Sequence, residues 1–368
     1  MITQLITGTL IGALIGLIPG MHINTFLPFI SFSKGTNQSL LIISSSISFL
    51  FFSVFPSTLF GVPSSSEIYL LPTHKLVKKG KAIEAISTSL DSMLLSAVFT
   101  FPFIALIYLI SISVKTLSQL TPFILVIVLL SFILKSRKSA LITFLSSVLG
   151  MLTFHYNLLF PLLTGFFAVP NLIHSLNSPK PVFQKTSTPQ FEKKIIRTSI
   201  LASFLSSFFS LIPAVSSSIV STIGEKFGKL DEHEFISFIS ASNFSYMAFS
   251  FYFVSLTQIA RSGSSAVIKQ VNANPLFYAG AVLFSTGISF FLSKKIAAQA
   301  VKTYQKANQR LLSSAALTLL IFINLLSQGF SFLVFLTSSS IGLLAIKLKV
   351  SRMTCMSSLI TPTVFLLL

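Results

Sequence analysis

The sequence predicts an all-α, polytopic membrane protein made of two inverted-topology repeats, with helices broken by Pro and Gly in re-entrant fashion. Three observations predict it. Of 368 residues, 52% are hydrophobic and 9% charged, with a mean hydropathy of +0.86, which leaves too little charged surface to coat a soluble globule of this size. Apolar runs long enough for a ~30 Å hydrocarbon core recur along the chain. One motif also returns: LIPGMHINT, Leu17 to Thr25, has a second copy in LIPAVSSSIV, Leu211 to Val220.

The apolar runs follow in order. Ile2 to Ile18 lacks a basic n-region and a small-residue cleavage site, so it is expected to be mature structure and not a signal peptide. Clear spans are Leu40 to Val54, Thr88 to Val114, Leu120 to Leu134, Ala140 to Phe154, Leu158 to His174, Ile236 to Ile259, Leu276 to Leu292, Leu311 to Ser327, Phe330 to Ile346 and Met353 to Leu368. The segments 2–32 and 198–223, interrupted by Pro19 and Pro213, are either hairpins on one face or pairs of short crossings. Residues 1–175 form the first repeat with its following helices, 176–197 a cytoplasmic linker that is Pro-rich from Leu176 to Phe191, and 198–368 the second repeat with the C-terminal helices.

The +18 net charge does not point to nucleic acid, because Lys and Arg sit in short clusters between apolar runs, where they set topology. The clusters at Lys75 to Lys81, Lys135 to Lys138, Lys180 to Arg197, Lys294 to Arg310 and Lys347 to Arg352 are expected inside, with both termini outside. Equivalent segments of the two halves then run in opposite directions, as in many secondary transporters whose site lies near the midplane. The lone Cys355 gives neither a disulfide nor a thiolate metal site, and no zinc spacing, phosphate loop or G-x-S-x-G elbow is present.

A broken helix at membrane depth must satisfy its freed backbone groups with protein, water or a solute. His22, Asn24 and Thr25 after Pro19, and Ser216 and Ser217 after Pro213, are therefore candidate cavity residues. A hydrogen-bonded packing histidine accounts for His22 as well. Each half carries a second interruption: Gly61 with Ser64, Ser65 and Ser66 in the first, and Gly263 with Ser264 and Ser265 in the second, where a Ser-rich helix start offers hydroxyls and amides to an anion. Charges inside apolar segments are costly, about 2.5 to 3.5 kcal/mol at a helix centre unless paired or hydrated. Glu67 is read as an ion-coupling carboxylate and Arg261 as an anion anchor, with one structural ion pair as the alternative. Asn243 is either a ligand contact or interhelical glue.

GTLIGALIGLIPGMH at Gly8 to His22, GVPSSSEIYLLPTHKLVKKGKAIEAI at Gly61 to Ile86 and weaker versions in LIPAVSSSIVSTIGEKFG, SASN at Ser240 to Asn243 and SGSSAV at Ser262 to Val267 carry a resemblance. The chain resembles the permease subunit of tripartite tricarboxylate transporters, the TctA or DUF112 family, in a diverged archaeal branch. Ala214 departs from the family's Gly, and Ser206 and Ser210 stand in the places of Gly12 and Gly16. The resemblance implies a transport fold, with a solute-binding protein and a small membrane subunit as partners.

Together these readings lead to a secondary transporter, not an enzyme, for a small anionic solute, a carboxylate, moved by alternating access as a symport with H+ or Na+. No other cofactor or metal is expected; lipid surrounds the chain, and a second copy in a homodimer is a further expected partner. A polyprenyl-phosphate lipid translocase and a non-transporting membrane scaffold are the alternatives.

Overall fold

The computed structural model describes residues 1–368 apart from 19–21, 24–26, 28–34, 61–69, 112–113, 157, 177–182, 186–188, 190, 211–216, 218–219, 221–223, 225–229, 258–259, 270, 272–274, 327–328 and 368. Among the described residues the regular structure is entirely helical. Four of the helices are long and apolar enough to cross a membrane, and several shorter apolar ones accompany them. The helices sort into two compact units, one from Met1–Val114 with Lys180–Asn308, the other from Lys115–Pro179 with Gln309–Leu368. Each unit thus takes one piece from each half, whereas the division read at 175 and 198 follows the chain.

The first unit contains α1 (Ile2–Leu17), α2 (Thr36–Phe60), α3 (Leu70–Lys78) and α4 (Ala82–Ser111) from the first half. From the second half it takes α9 (Lys194–Ser210), α10 (Glu232–Thr257), α11 (Gly263–Ile268) and α12 (Pro275–Lys306). Its centre is α2, apolar on every side and almost wholly buried, as a helix without a polar face must be. Serine is frequent on α2 because each hydroxyl finds an acceptor on its own helix: Ser44 donates to Leu40 O, Ser45 to Ile42 O, Ser53 to Leu50 O and Ser57 to Val54 O. Two hydroxyls leave the helix instead. Ser48 donates to Thr9 O at 2.7 Å, and Ser46 donates to Ser264 Oγ at 2.8 Å.

Helices α1 and α2 run side by side in the same direction. A Cβ added at Gly8 meets Ser44 and Leu41, one at Gly12 meets the Ser45 carbonyl, and one at Gly16 meets the Phe49 carbonyl at 2.9 Å, so the three glycines let the backbones touch. The pair α9 and α10 repeats this arrangement. A shift of 194 residues carries Thr9 and Gly12 onto Ser203 and Ser206, and one of 197 carries Ser48 and Ser45 onto Ser245 and Ser242. Ser245 donates to Ser203 Oγ at 3.0 Å, and Ser206 donates to Ser242 O at 3.3 Å. Where glycine admits a carbonyl in the first half, serine binds it in the second.

Helix α4 packs on α9 and α10 of the other half, and α12 packs on α1 and α2. The α4–α10 seam is a polar ladder with one rung per helical turn. Thr88 meets His233 Nδ1 at 3.3 Å, Ser92 donates to Ser237 Oγ at 2.7 Å, Ser96 donates to Ala241 O at 3.2 Å, and Thr100 meets Ser245 Oγ at 3.2 Å. In contrast, α4 and α12 are antiparallel: Asp91 pairs with Lys294, and Gln184 joins the start of α4 to the end of α12.

That last contact revises the reading of 176–197 as a plain polar linker. Gln184 is buried; its amide donates to Val77 O at 2.8 Å and its carbonyl Oε1 accepts from Ala82 N at 3.0 Å. Lys185 N donates to Gly80 O at 2.9 Å, and Gly80, at φ +75°, ends α3 in the left-handed conformation that glycine tolerates best. The same end of the unit gathers most of the chain's acidic residues. Lys79 pairs with Glu232, Lys81 with Glu84, Lys194 with both Glu192 and Asp231, and His233 stands between Glu84 and Glu192.

The second unit contains α5 (Val114–Lys135), α6 (Arg137–Thr153), α7 (Leu159–Leu163), α8 (Val169–Leu176), α13 (Gln309–Leu326), α14 (Ser331–Lys347) and α15 (Ser357–Leu367). The run expected as one span over Leu158 to His174 is interrupted by a π turn at Thr164–Ala168. Pro170 supplies no N–H to the carbonyl four residues back, that of Phe166, and the turn widens there. Two glycines let helices close at matching places: a Cβ added at Gly150 would run into the Ser358 backbone, and one added at Gly342 would lie 2.6 Å from Phe166 O. Gly150 and Gly342 lie 192 residues apart, as do Phe166 and Ser358. Arg352, expected in a basic loop, is instead buried and donates from Nη1 to Phe167 O at 3.0 Å, which ties the short turn Arg352–Met356 to the π segment.

Candidate functional site

Helix α10 ends at Thr257, and the chain restarts as α11 after the non-helical Ala260 to Ser262. Ser262 caps the new helix: its Oγ accepts from Ser265 N at 3.1 Å, while Ser265 Oγ accepts from the amides of Ser262 at 2.8 Å and Arg261 at 3.0 Å. The cap therefore uses the hydroxyl and amide of Ser265 within the turn itself. Three contacts hold the turn in place: Ser46 of α2 on Ser264, Tyr246 OH on Arg261 O at 3.4 Å, and Ser250 on Ser262 at 3.0 Å. Ser46 is ten residues into α2, so Ser264 sits ~15 Å along that helix, near the middle of a hydrocarbon core of ~30 Å.

The Arg261 guanidinium lies over the Phe253 ring, 4.9 Å from its centroid. The aromatic face holds it there, and the residue is partly buried. Asn243, Tyr246 and Ser250 are spaced i, i+3, i+7 on α10 and form the stripe that faces this turn. Asn243 is 9% exposed, and its Oδ1 has no hydrogen-bond partner among the described residues. Beside Phe253 lies a cavity of about 10 Å³ lined by Ser210, Phe249 and Tyr252, with room for about one water.

His22 packs edge-on against Phe49, with ring centroids 5.3 Å apart. Phe49 is three residues after Ser46 on α2, so His22 and Ser264 meet neighbouring positions of one helix face. Ser217 is half-buried. Asn24, Thr25, Gly61, Ser64, Ser65, Ser66, Glu67 and Ser216 lie outside the described residues, as do Pro19 and Pro213.

Sequence reasoning missed one pair of charges. Asp91 lies inside the apolar run Thr88 to Val114, and Lys294 had been placed in a cytoplasmic loop; the structure joins them, with Nζ 2.8 Å from Oδ1 and 2.9 Å from Oδ2. The signal was available as a carboxylate one turn into a membrane run. Each residue also follows a proline by nineteen positions, Pro72 and Pro275.

The described residues thus give an interrupted helix, a partly buried guanidinium where the two halves meet and a duplicated helix pair. Residues 2–357 match the sequence model of the tripartite tricarboxylate transporter TctA family. The chain belongs to that family. It is also 29% identical over 395 aligned positions to an uncharacterized protein of the archaeon Methanocaldococcus jannaschii, covering 98% of this chain and 97% of the relative. No solved structure matches it. As a TctA protein the chain is a multi-pass transport component and not an enzyme, and its family works with a solute-binding receptor and a small membrane subunit.

Proposed function

We propose that this TctA chain is the permease of a secondary transport system for a small anionic solute, a carboxylate, moved by alternating access in symport with H+ or Na+. The observation that carries the reading is Arg261: a partly buried guanidinium at mid-membrane depth, on a turn held between α2 of one half and α10 of the other. A guanidinium offers a carboxylate two parallel donors, so a carboxylate arriving there gains charge-assisted hydrogen bonds. Asn243 and His22 complete the polar lining, and the sequence adds Asn24, Thr25, Ser216, Ser217, the Gly61 to Ser66 turn and Glu67 as ion-coupling group.

An inverted duplication supports the same reading. The pairs Thr9/Ser48 and Ser203/Ser245 recur, α4 and α12 are antiparallel, and the helices of each half pack on those of the other. In such folds the repeats rock about a fixed central site. The test is uptake of labelled di- and tricarboxylates into proteoliposomes under H+ or Na+ gradients, beside an assay of lipid headgroup translocation. Gradient-driven carboxylate uptake supports the proposal. Headgroup translocation without carboxylate uptake overturns it in favour of a lipid carrier.

A further inference from the structure

Asp91 and Lys294 form the ion pair that joins the two halves inside the membrane run of the first unit. Asp91 is nine residues into α4, ~13 Å from its start, and Lys294 lies twelve residues before the end of α12, ~18 Å from it. The ammonium sits astride both carboxylate oxygens and rests against the Phe290 ring at 5.7 Å. Both side chains are largely withdrawn from solvent, 17% and 31% exposed. Asp91 comes from the first half and Lys294 from the second, so the pair stands where helices of the two halves cross.

Neither charge can leave the other cheaply, because separating a buried pair leaves each ion uncompensated at a cost of several kcal/mol. Movement of α12 away from α4 therefore requires that one member be neutralised first. Lysine stays charged, and carboxylate is the member that takes up a proton. A metal cation would need several oxygen ligands, and no group of three or more His, Cys, Asp or Glu is assembled for one among the described residues. Among the described residues packed on this pair, the other charge at this level is the exposed Lys295, next to Lys294 on α12. Helix α2 has no titratable residue; Glu84 is nearly two turns away on α4. By the ladder register Asp91 is level with Ile236, which leaves Glu232, His233 and Glu234 of α10 toward its start, with Lys194 and Arg197 of α9 and His74, Lys75 and Lys78 of α3 at the same end.

We propose that Asp91 is a proton-coupling residue, and that its protonation releases Lys294 and lets α4 and α12 part at the end of the bundle that carries the basic loops. The proton moves from water onto an Asp91 Oδ and returns to water when the pair reforms. A freed Lys294 gains hydration by sliding toward the polar end of α12, where Lys295, Lys302 and Lys306 already lie.

This inference rests on the alternating-access reading but is tested without any solute. Spin labels at the exposed Lys78 and Lys302 report the α3–α12 distance in lipid nanodiscs as pH is lowered from neutral into the acidic range. The expected result is a distance distribution that lengthens with acid in the wild type, stays short at every pH in Asp91→Asn/Lys294→Met, and stays long at every pH in Asp91→Asn. The double variant replaces the pair by neutral groups, a change that buried ion pairs tolerate. An unchanged wild-type distance, or an acid response in the double variant equal to that of the wild type, overturns the proposal. Failure of carboxylate transport with the acid response intact would overturn the proposed function alone.

Discussion

Ser46 donates its hydroxyl to Ser264 across 218 residues of chain, at 2.8 Å, and so ties the central helix of the first half to the short helix of the second. Most serines on α2 bond back to their own turn, so this outward bond has a positional role. Ser46→Ala leaves Ser264 without this bond, and an interhelical hydrogen bond in a membrane contributes ~0.6 kcal/mol on average and up to ~1.7. A double-mutant cycle of Ser46→Ala and Ser264→Ala is expected to return a coupling of that order by chemical denaturation. The same variants are expected to weaken carboxylate binding by loosening the Arg261 turn. Additive losses in both measurements would separate the bond from the site.

Gly12 and Gly280 make opposite predictions from one residue type. A Cβ at Gly12 runs into the Ser45 carbonyl, which is backbone and cannot swing aside, whereas a Cβ at Gly280 meets nothing within 4 Å. Gly12→Leu is expected to cost at least ~1–3 kcal/mol through overpacking. Gly280→Ala should gain about 0.5–1 kcal/mol by removing backbone freedom from a helix interior. Thermal melts followed by circular dichroism check both, and equal responses at the two positions would refute the close α1–α2 contact.

These contacts show where the sequence was legible. The LIP repeat located two helix ends, because proline has few alternative uses there, whereas the close packing face of Gly8, Gly12 and Gly16 came to light only in the structure. Ser206 and Ser210 blurred the second copy, since serine serves equally as a small packing residue and as a hydroxyl donor. Serine content could not mark a site, because back-bonding to the helix conceals which hydroxyls point outward. Gln184 was invisible for a different reason: a polar, Pro-rich stretch gives no sign that one of its amides is buried against α3 and α4. Arg352 was read with the basic cluster of its loop because its burial depends on a contact with the Phe167 carbonyl, in a π segment that the periodicity of the run does not reveal.

Ser237 is the hub of the α4–α9–α10 seam. Its Oγ accepts from Ser92 at 2.7 Å and from Thr198 at 2.8 Å, and donates to Ile195 O at 3.3 Å. Removing the hydroxyl takes an interhelical acceptor from Ser92 and Thr198 at once and leaves them only their own-helix carbonyls, so Ser237→Ala is expected to cost ~1–2 kcal/mol, more than an average single interhelical bond. Ser314→Ala, whose hydroxyl is exposed and bonds only within its own helix, is the control and is expected to change stability little. Matching losses in unfolding experiments would mean that the ladder adds nothing beyond local bonding.

Acid should loosen the charged end of the first unit. Partial burial raises the Asp231 carboxyl, but hydrogen bonds from Lys194 and from the Glu234 and His233 amides outweigh this and hold it below its ordinary value of 3.8. The hydrogen bond to Asp231 in turn raises the Lys194 ammonium above 10.5. A depressed carboxylate stabilises the fold fully above its unfolded value and loses that contribution as pH falls through the folded one. The wild type is therefore expected to exceed Asp231→Asn in stability at neutral pH, with the difference fading below about pH 4. Both side chains are more than a third exposed, so solvent screening keeps the difference small. A difference that grows with acid would reverse the assignment.

Arg261 provides the sharpest test of the proposed site. Its guanidinium lies over the Phe253 ring, and its backbone is fixed on both sides, by Ser265 at the amide and by Tyr246 at the carbonyl. Lysine keeps the charge but lacks the planar fork that both stacks and binds a carboxylate through two parallel hydrogen bonds. Arg261→Lys is accordingly expected to lose carboxylate binding nearly as fully as Arg261→Ala, each by about tenfold or more, the equivalent of ~1.4 kcal/mol. Phe253→Leu keeps the guanidinium and removes the ring, so its loss should match a cation–π contact of ~0.5–2 kcal/mol. Equilibrium binding of a labelled tricarboxylate to the purified chain ranks the three variants. Retention of wild-type affinity in Arg261→Lys would mean that charge alone recruits the solute, and retention in Arg261→Ala would remove this residue from the site.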